Sequence, residues 1–189
     1  MVQFLAGMLM FFGMHSMSAL TLPTRDRLAA KSEAGWKLTY AIVSIIGIFL
    51  MARGYADLRM TPTVLYVTPL WMRHVAAVLL LPTFVFLLAS VIPGRIQRTL
   101  KHPLLIATKT WALAHLLVNG NLADVLLFGS FLAWAVGVRI SLKKRPKREN
   151  PMAPESRAND VIVLVVGLGL YVVTALWLHE MLFGVRPFG

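Results

Sequence analysis

The sequence predicts an all-α integral membrane protein, a single-domain bundle of six transmembrane helices. Of its 189 residues, 58% are hydrophobic and only 14% are charged. That is more apolar surface than a soluble core of this size can bury. Apolar runs close to the ~20 residues needed to cross ~30 Å of hydrocarbon recur along the chain. We therefore expect the lipid bilayer to be its main partner.

Six runs reach or approach membrane-spanning length. The first has no basic region of the kind that opens a signal peptide, so we expect it to be retained. The third and fourth contain prolines, which membrane helices tolerate where neighbours satisfy the freed carbonyls. The fourth and fifth meet at Asn119-Gly120-Asn121, a turn signal that predicts an antiparallel hairpin. The predicted spans are Val2 to Leu20, Lys37 to Ala52, Trp71 to Val91, Pro103 to Asn119, Leu122 to Ile140 and Val161 to Leu182.

The basic residues predict the orientation. If the first helix enters from outside, fourteen of the 19 Lys and Arg residues lie on the cytoplasmic side, four lie outside, and Lys109 lies in the membrane. This bias favours both termini outside the cytoplasm, which is the periplasm for a bacterial inner membrane. The proline-containing segment 143–159 is a predicted cytoplasmic linker whose charges suit anionic lipid head groups. A nucleic-acid partner is not expected, because no basic stripe lies beside stacking aromatic residues.

The chain contains no cysteine. This excludes disulfides, thiolate metal sites, iron–sulfur clusters, a catalytic thiol and covalently attached c-type haem. Any metal or cofactor must therefore be held by His, Met, Tyr or oxygen ligands.

The candidate site residues are histidines and one lysine inside apolar helices, where an uncompensated ionisable group is costly. On the fourth predicted span, Trp111 and His115 share one helix face, while His102 and Lys109 share another. His15 on the first span is either a metal ligand or a hydrogen-bonded contact between helices. The remaining histidines, His74 and His179, lie near outer helix ends, where exposure at the membrane interface ordinarily explains a histidine. Asp124 is expected to cap the start of the fifth span.

Several of these residues lie in motifs that resemble the NnrU family of bacterial membrane proteins. The similarity covers about residues 2–144. It implies an association with denitrification, in support of nitrite and nitric oxide reduction, and kinship with zeta-carotene cis-trans isomerases that bind b-type haem. The motifs are Gly13-Met14-His15-Ser16, Arg25-Asp26-Arg27-Leu28, Arg73-His74, Pro93-Gly94-Arg95-Ile96, Lys101-His102-Pro103, Trp111-Ala112-Leu113-Ala114-His115-Leu116, Asn119-Gly120 and Leu127-Phe128-Gly129-Ser130.

The resemblance also implies roles for individual residues. In the isomerase branch, the histidines that correspond to His15 and His115 are the proposed haem ligands. Trp111, in the same motif as His115, is expected beside the cofactor. Lys109 is far from both ends of its apolar helix, so it is expected to pair with a haem propionate or with a carbonyl freed by Pro82. The cysteine proposed to exchange with one ligand is replaced by Ala112, so a thiolate switch is impossible in this chain. At ~1.5 Å per residue, His15 and His115 differ in predicted depth by roughly 12 Å. His102, His74 and His179 therefore stay rivals, the last two matched in depth to His115.

Three hypotheses follow. The first is a haem b protein of the bacterial inner membrane that supports nitrite and nitric oxide reduction. The second is a haem-dependent cis-trans isomerase of zeta-carotene or a similar apolar polyene, the only reading that makes the chain an enzyme. The third is a cofactor-free assembly partner of a membrane reductase. The sequence leaves these three open.

Overall fold

The fold is all-α, as predicted. The computed structural model describes residues 1–144 and 153–188, with the backbone alone for residues 18–20, and 78% of these described residues are helical. The helices are α1 (Val2–Leu20), α2 (Leu22–Lys31), α3 (Glu33–Met60), α4 (Met72–Leu80), α5 (Thr83–Leu88), α6 (Arg95–Leu100), α7 (Pro103–Val118), α8 (Leu122–Lys143), α9 (Asn159–Val173), a π-helical segment (Thr174–Leu178) and α10 (His179–Phe183).

Contacts within the chain define two compact units, Met1–Thr63 with Gly137–Pro146, and Val64–Val136 with Lys147–Gly189. Helix α8 contributes residues to both, and the prediction of a single domain stays a prediction. The predicted linker 143–159 falls partly outside the described residues. Its described end includes Ala153, whose backbone N–H donates to the carbonyl of Val91 at 2.9 Å.

In the first unit, α1 packs closely against α3. Phe4 is fully buried, and a Cβ on Gly54 would lie 2.7 Å from its Cα. A Cβ on Gly7 would lie 2.6 Å from the carbonyl oxygen of Gly47. Small residues at these positions let the two backbones approach, which is how membrane helices gain packing contacts.

Helix α3 extends beyond its predicted span of residues 37–52 at both ends. It starts at Glu33 because the Ser32 hydroxyl accepts the Gly35 backbone N–H at 3.0 Å, an N-cap contact. A 2.7 Å ion pair between Lys37 and Glu33 supports the first turn. The helix then continues past the apolar run to Met60 and stops before Pro62.

In the second unit, α5 lies between α7 and α9, and α4 packs against α7. Val85, Ala89 and Val163 form a buried cluster between α5 and α9. Gly167 makes that approach possible, because a Cβ there would lie 2.7 Å from the Val85 backbone nitrogen. Helix α9 is thereby held along its length against the centre of this unit.

The prediction of six spans is wrong in number. Among the described residues, α3, α8 and the run Asn159–Phe183 are long and apolar enough to cross a membrane. A fourth span exists if α1 and α2, bent by 85° relative to each other, are counted together. In the three long helices only 22%, 17% and 11% of the apolar window is buried, which leaves broad apolar faces for lipid. The chain is therefore a membrane protein with three to four candidate spans.

The third and fourth predicted spans fall short for identifiable reasons. The third is divided into α4 and α5 at Pro82, because proline has no N–H to donate to the preceding turn. The fourth, α7, has 16 residues, which is below the ~20 needed to cross ~30 Å. Both are short apolar helices that contact their neighbours in the second unit.

The predicted turn at Asn119-Gly120-Asn121 joins α7 and α8, as expected. Asp124 accepts the Asn121 backbone N–H at 3.2 Å, so the predicted cap of this helix is confirmed. The segment between α3 and α4, residues 61–71, contacts this turn. The backbone N–H groups of Leu65 and Tyr66 both donate to the Gly120 carbonyl, and a Cβ on Gly120 would overlap the Tyr66 backbone.

Candidate functional site

The candidate site is built around His115, one turn from the C-terminal end of α7. Its Nδ1 lies 2.8 Å from the Trp111 carbonyl oxygen, the residue one helical turn earlier. The Phe128 ring of α8 stacks on the imidazole with ring centres 4.6 Å apart. The predicted pairing of Trp111 and His115 on one face is thus observed, with centres 5.3 Å apart.

This hydrogen bond decides which nitrogen of His115 can bind a ligand. A carbonyl oxygen only accepts, so Nδ1 must carry the hydrogen and donate it. In the neutral ring Nε2 then keeps its lone pair, which is the form that coordinates metals. A carbonyl that holds the opposite nitrogen in this way is a typical outer partner of a metal-binding histidine.

His179, at the start of α10, faces His115. The two ring centres lie 6.5 Å apart and the ring planes differ by 18°. Nδ1 of His179 lies 2.7 Å from the Val185 carbonyl oxygen, so this imidazole is held in the same tautomer as His115. The predicted explanation of simple interfacial exposure does not account for these contacts.

The π-helical segment before His179 explains why this ring faces inward. Tyr171 marks the inner face of α9, because its hydroxyl donates to the Ala77 carbonyl at 3.0 Å. In an unbroken α-helix, residue 179 would be rotated about 80° from residue 171. A π turn holds one extra residue, which sets the rotation back by about 100°. The two side chains then lie within about 20° of the same face.

Aromatic side chains surround the two histidines. Trp111 makes edge contacts with Phe128 and Phe131, with ring centres 5.0 and 5.3 Å apart. On the other side, Phe183 lies 5.1 Å from His179, measured between ring centres. Polar ligating atoms inside an apolar, aromatic setting are typical of cofactor sites.

The donor set of this cluster fits haem. Within residues 1–144 and 153–188, no group of three or more His, Cys, Asp or Glu side chains could hold a metal ion. Haem needs only axial ligands from the protein, because the porphyrin nitrogens occupy the other positions on the iron. His115 and His179 supply two imidazoles to this cluster, with ring centres 6.5 Å apart.

His15 belongs to the first unit. Its Nδ1 lies 2.8 Å from the Phe11 carbonyl oxygen, the same arrangement as in His115. The Phe11 ring stacks on it at 3.9 Å and Tyr40 lies 5.0 Å away, between ring centres. Its tautomer is therefore also the ligating one. That His15 shares an iron with His115 stays a prediction.

The other candidates lie outside the cluster. His102 immediately precedes α7 and forms its N-terminal boundary. His74 is exposed on α4. Lys109 is half-buried on α7, and its contact with a cofactor stays a prediction. The sequence did not predict the ring contact between Phe128 and His115 or the π-helical segment. Neither has a distinctive sequence signal. The equal predicted depths of His115 and His179 were the available clue to their pairing.

Tyr66 anchors the turn next to the cluster. Its hydroxyl donates to the carbonyl oxygens of Leu116 and Asn119, the latter at 2.9 Å. Burial, and secondly the carboxylate of Asp124, raise the pKa of the Tyr66 phenol above its ordinary value. The phenol therefore stays a donor over the physiological pH range, and it holds the end of α7 that carries His115.

Comparison with known proteins identifies the family. The sequence profile described as NnrU protein matches residues 3–187. No curated protein and no solved structure matches the chain. The match spans nearly the whole chain, including the candidate residues from His15 to His179, and it extends well beyond the residues 2–144 that carry the visible motifs. This protein belongs to the NnrU family.

Proposed function

We propose that this NnrU-family protein binds haem b in a bacterial inner membrane and supports nitrite and nitric oxide reduction. The observation that carries the haem proposal is the pair of facing imidazoles, His115 and His179, 6.5 Å apart between ring centres. Each donates its Nδ1 hydrogen to a backbone carbonyl, so each presents Nε2 for coordination. The link to nitrogen oxides rests on the family's association with denitrification.

Individual residues have distinct tasks in this proposal. His115 would hold the haem iron, and the Trp111 carbonyl fixes the tautomer of its ring. His179, or His15 of the first unit, would supply the second imidazole. Phe128 restricts rotation of the His115 ring and keeps water away from it. Lys109, six residues before His115 and on another face of α7, would pair with a haem propionate or with a carbonyl freed by Pro82. When bound, haem supplies one-electron redox chemistry.

The proposed orientation places both termini in the periplasm. The Asn159 side-chain amide donates to the Pro93 carbonyl at 2.8 Å, and Asp160 accepts the Arg95 backbone N–H at 2.9 Å. These bonds put residues 93–98 at the same end of α9 as Arg157. A cytoplasmic location of that end agrees with the excess of basic residues there.

The haem proposal is tested on protein purified from membranes in detergent. We expect a Soret band, a low-spin spectrum in the oxidised and reduced forms, and about one haem b per chain in a pyridine haemochromogen assay. Protein expressed with added haem precursor that still shows no Soret band would overturn the proposal. The cofactor-free assembly partner would then be the better hypothesis.

The physiological role is tested separately. Deletion of the gene in its host should slow anaerobic growth on nitrite, and the wild-type gene but not His115→Ala should restore it. Equal growth of the deletion strain would contradict the role in nitrogen-oxide reduction. The isomerase hypothesis is tested by incubating reduced, haem-loaded protein with a cis isomer of zeta-carotene and analysing the products. Conversion to a different geometric isomer would favour that alternative, even without the thiolate that Ala112 excludes.

A further inference from the structure

A basic cleft lies at the N-terminal end of α9, away from the histidine cluster. Its volume is about 470 Å³. Three arginines, Arg95, Arg98 and Arg157, line it together with Ser156 and the carboxylates of Glu155 and Asp160. Guanidinium groups match the geometry of phosphate oxygens because they present several N–H donors in a rigid fork.

The backbone around this cleft is held in place by hydrogen bonds. The Asn159 amide donates to the carbonyls of Pro93 and Pro154, at 2.8 and 3.0 Å, and so ties both walls together. The Asp160 carboxylate accepts the backbone N–H groups of Arg95 and Ile96, at 2.9 and 3.1 Å. The cleft is therefore preorganised, which lowers the entropy lost when a ligand binds.

The arginines remain available to a ligand. Asp160 directs its two oxygens to backbone N–H groups. Glu155 approaches Arg98 only to 3.9 Å, and these side chains are 82% and 60% exposed. An ion pair this exposed contributes little. A phosphate that enters the cleft can therefore recruit Arg98 at small cost, together with Arg95 and Arg157.

The position of the cleft indicates which kind of phosphate compound can reach it. The apolar outer face of α9 begins directly after Asp160, with Val161 and Val165 61% and 66% exposed. Such a face belongs in hydrocarbon, so the cleft lies at the level of the lipid head groups. Acyl chains of a lipid bound there would lie along Val161 and Val165.

We propose that this cleft binds the head-group phosphate of an anionic phospholipid such as phosphatidylglycerol. Basic pockets between helices on the cytoplasmic side of a membrane suit such head groups, and the cytoplasmic location of this cleft rests on the orientation proposed above. The site is independent of the histidine cluster, and haem content is not expected to change when it is altered.

The test measures lipid binding to purified full-length protein by native mass spectrometry and by thermal stabilisation in detergent. The probes are phosphatidylglycerol, phosphatidylcholine and inorganic phosphate. The cleft variant combines Arg95→Gln, Arg98→Gln and Arg157→Gln. The control variant carries the same loss of charge elsewhere, as Arg27→Gln, Arg53→Gln and Arg59→Gln. Circular dichroism and haem content report whether each variant folds.

Wild-type protein and the control variant should prefer phosphatidylglycerol over phosphatidylcholine, and the cleft variant should bind it roughly tenfold to a hundredfold more weakly. An Arg-to-Lys version of the cleft variant should keep part of the affinity and covers the case in which the Gln variant fails to fold. Equal losses in the cleft and control variants would overturn the proposal, because they would show only a general charge effect. Stabilisation by inorganic phosphate that matches that by phosphatidylglycerol would also overturn it, in favour of a soluble phosphate ligand.

Discussion

The imidazoles of His115 and His179 lie 6.5 Å apart between ring centres, with their planes 18° apart. Both Nδ1 atoms are engaged by backbone carbonyls, those of Trp111 and Val185. Helices α7 and α10, which are distant in sequence, thus hold two neighbouring imidazoles in the same tautomer, with the hydrogen on Nδ1. The proposed haem site depends on this relationship.

His115→Ala should abolish haem binding, because it removes the imidazole common to the observed and predicted ligand pairs. His179→Ala and His15→Ala then identify the second ligand, since loss of one axial ligand converts a low-spin haem to a high-spin or ligand-exchanged form. We expect this spectral change in His179→Ala, because His179 lies beside His115 in the structure. The same change in His15→Ala alone would assign the second position to His15, as the family resemblance implies. His74→Ala, an exposed histidine, is the matched control.

Deletion of Leu176 should leave haem content nearly unchanged. The π-helical segment holds one extra residue, so removal of this 52% exposed leucine allows a continuous α-helix that keeps His179 on the face of Tyr171. Insertion of one Ala after Leu176 should instead rotate His179 by about 100° and reduce haem content. The haem-to-protein absorbance ratio of the two purified variants measures this. Equal haem in both would mean that the orientation of His179 does not matter.

Gly54→Ala should lower the melting temperature of the protein in detergent. Its Cβ would lie 2.5 Å from the Phe4 backbone nitrogen, so α1 and α3 must move apart, at a cost of about 1–3 kcal/mol. Gly13→Ala is the control, because a Cβ there meets no atom of the described residues within 4 Å. Scanning fluorimetry on the tryptophans provides the readout. Similar melting temperatures for both variants would contradict the close packing of these helices.

Tyr66→Phe should destabilise the turn between α7 and α8 by about 0.5–1.5 kcal/mol, the net contribution of a hydrogen bond. Because the pKa of Tyr66 is raised in the folded protein, its contribution is fully present below the unfolded pKa of ~10. It is lost as the pH rises through the folded pKa. The difference in melting temperature between wild type and Tyr66→Phe should therefore shrink as the pH rises above about 10. A difference that is constant with pH would show that ionisation of this phenol is not involved.

Reporter fusions test the orientation. A fusion after residue 148 should report cytoplasm and a fusion after residue 189 should report periplasm, because the basic linker resists translocation. A fusion after Lys31 should also report cytoplasm, which tests whether α1 crosses the membrane. Periplasmic activity after residue 148 would reverse the proposed topology.

The sequence by itself determined the class of the protein and the places where some of its helices end. Hydropathy and turn residues are local signals, so the ends of α1 and the junction of α7 with α8 were predicted within one residue. His115 and Trp111 were candidates because an ionisable or polar group is costly in an apolar helix wherever that helix packs. The predicted number of spans was wrong because hydropathy reports composition and not helix length. Pro82 divides the third predicted span, and α7 is too short to cross the membrane.

Only the tertiary structure decided which side chains meet. The approach of His179 to His115 depends on one extra residue in a π turn and on the packing of α9 against α5, where Gly167 meets Val85. The cleft at Arg95 likewise depends on Asn159 and Asp160 bonding to a segment more than sixty residues earlier in the chain. Contacts of this kind arise from helix rotation and from packing between distant segments, and no local pattern of residues encodes either one.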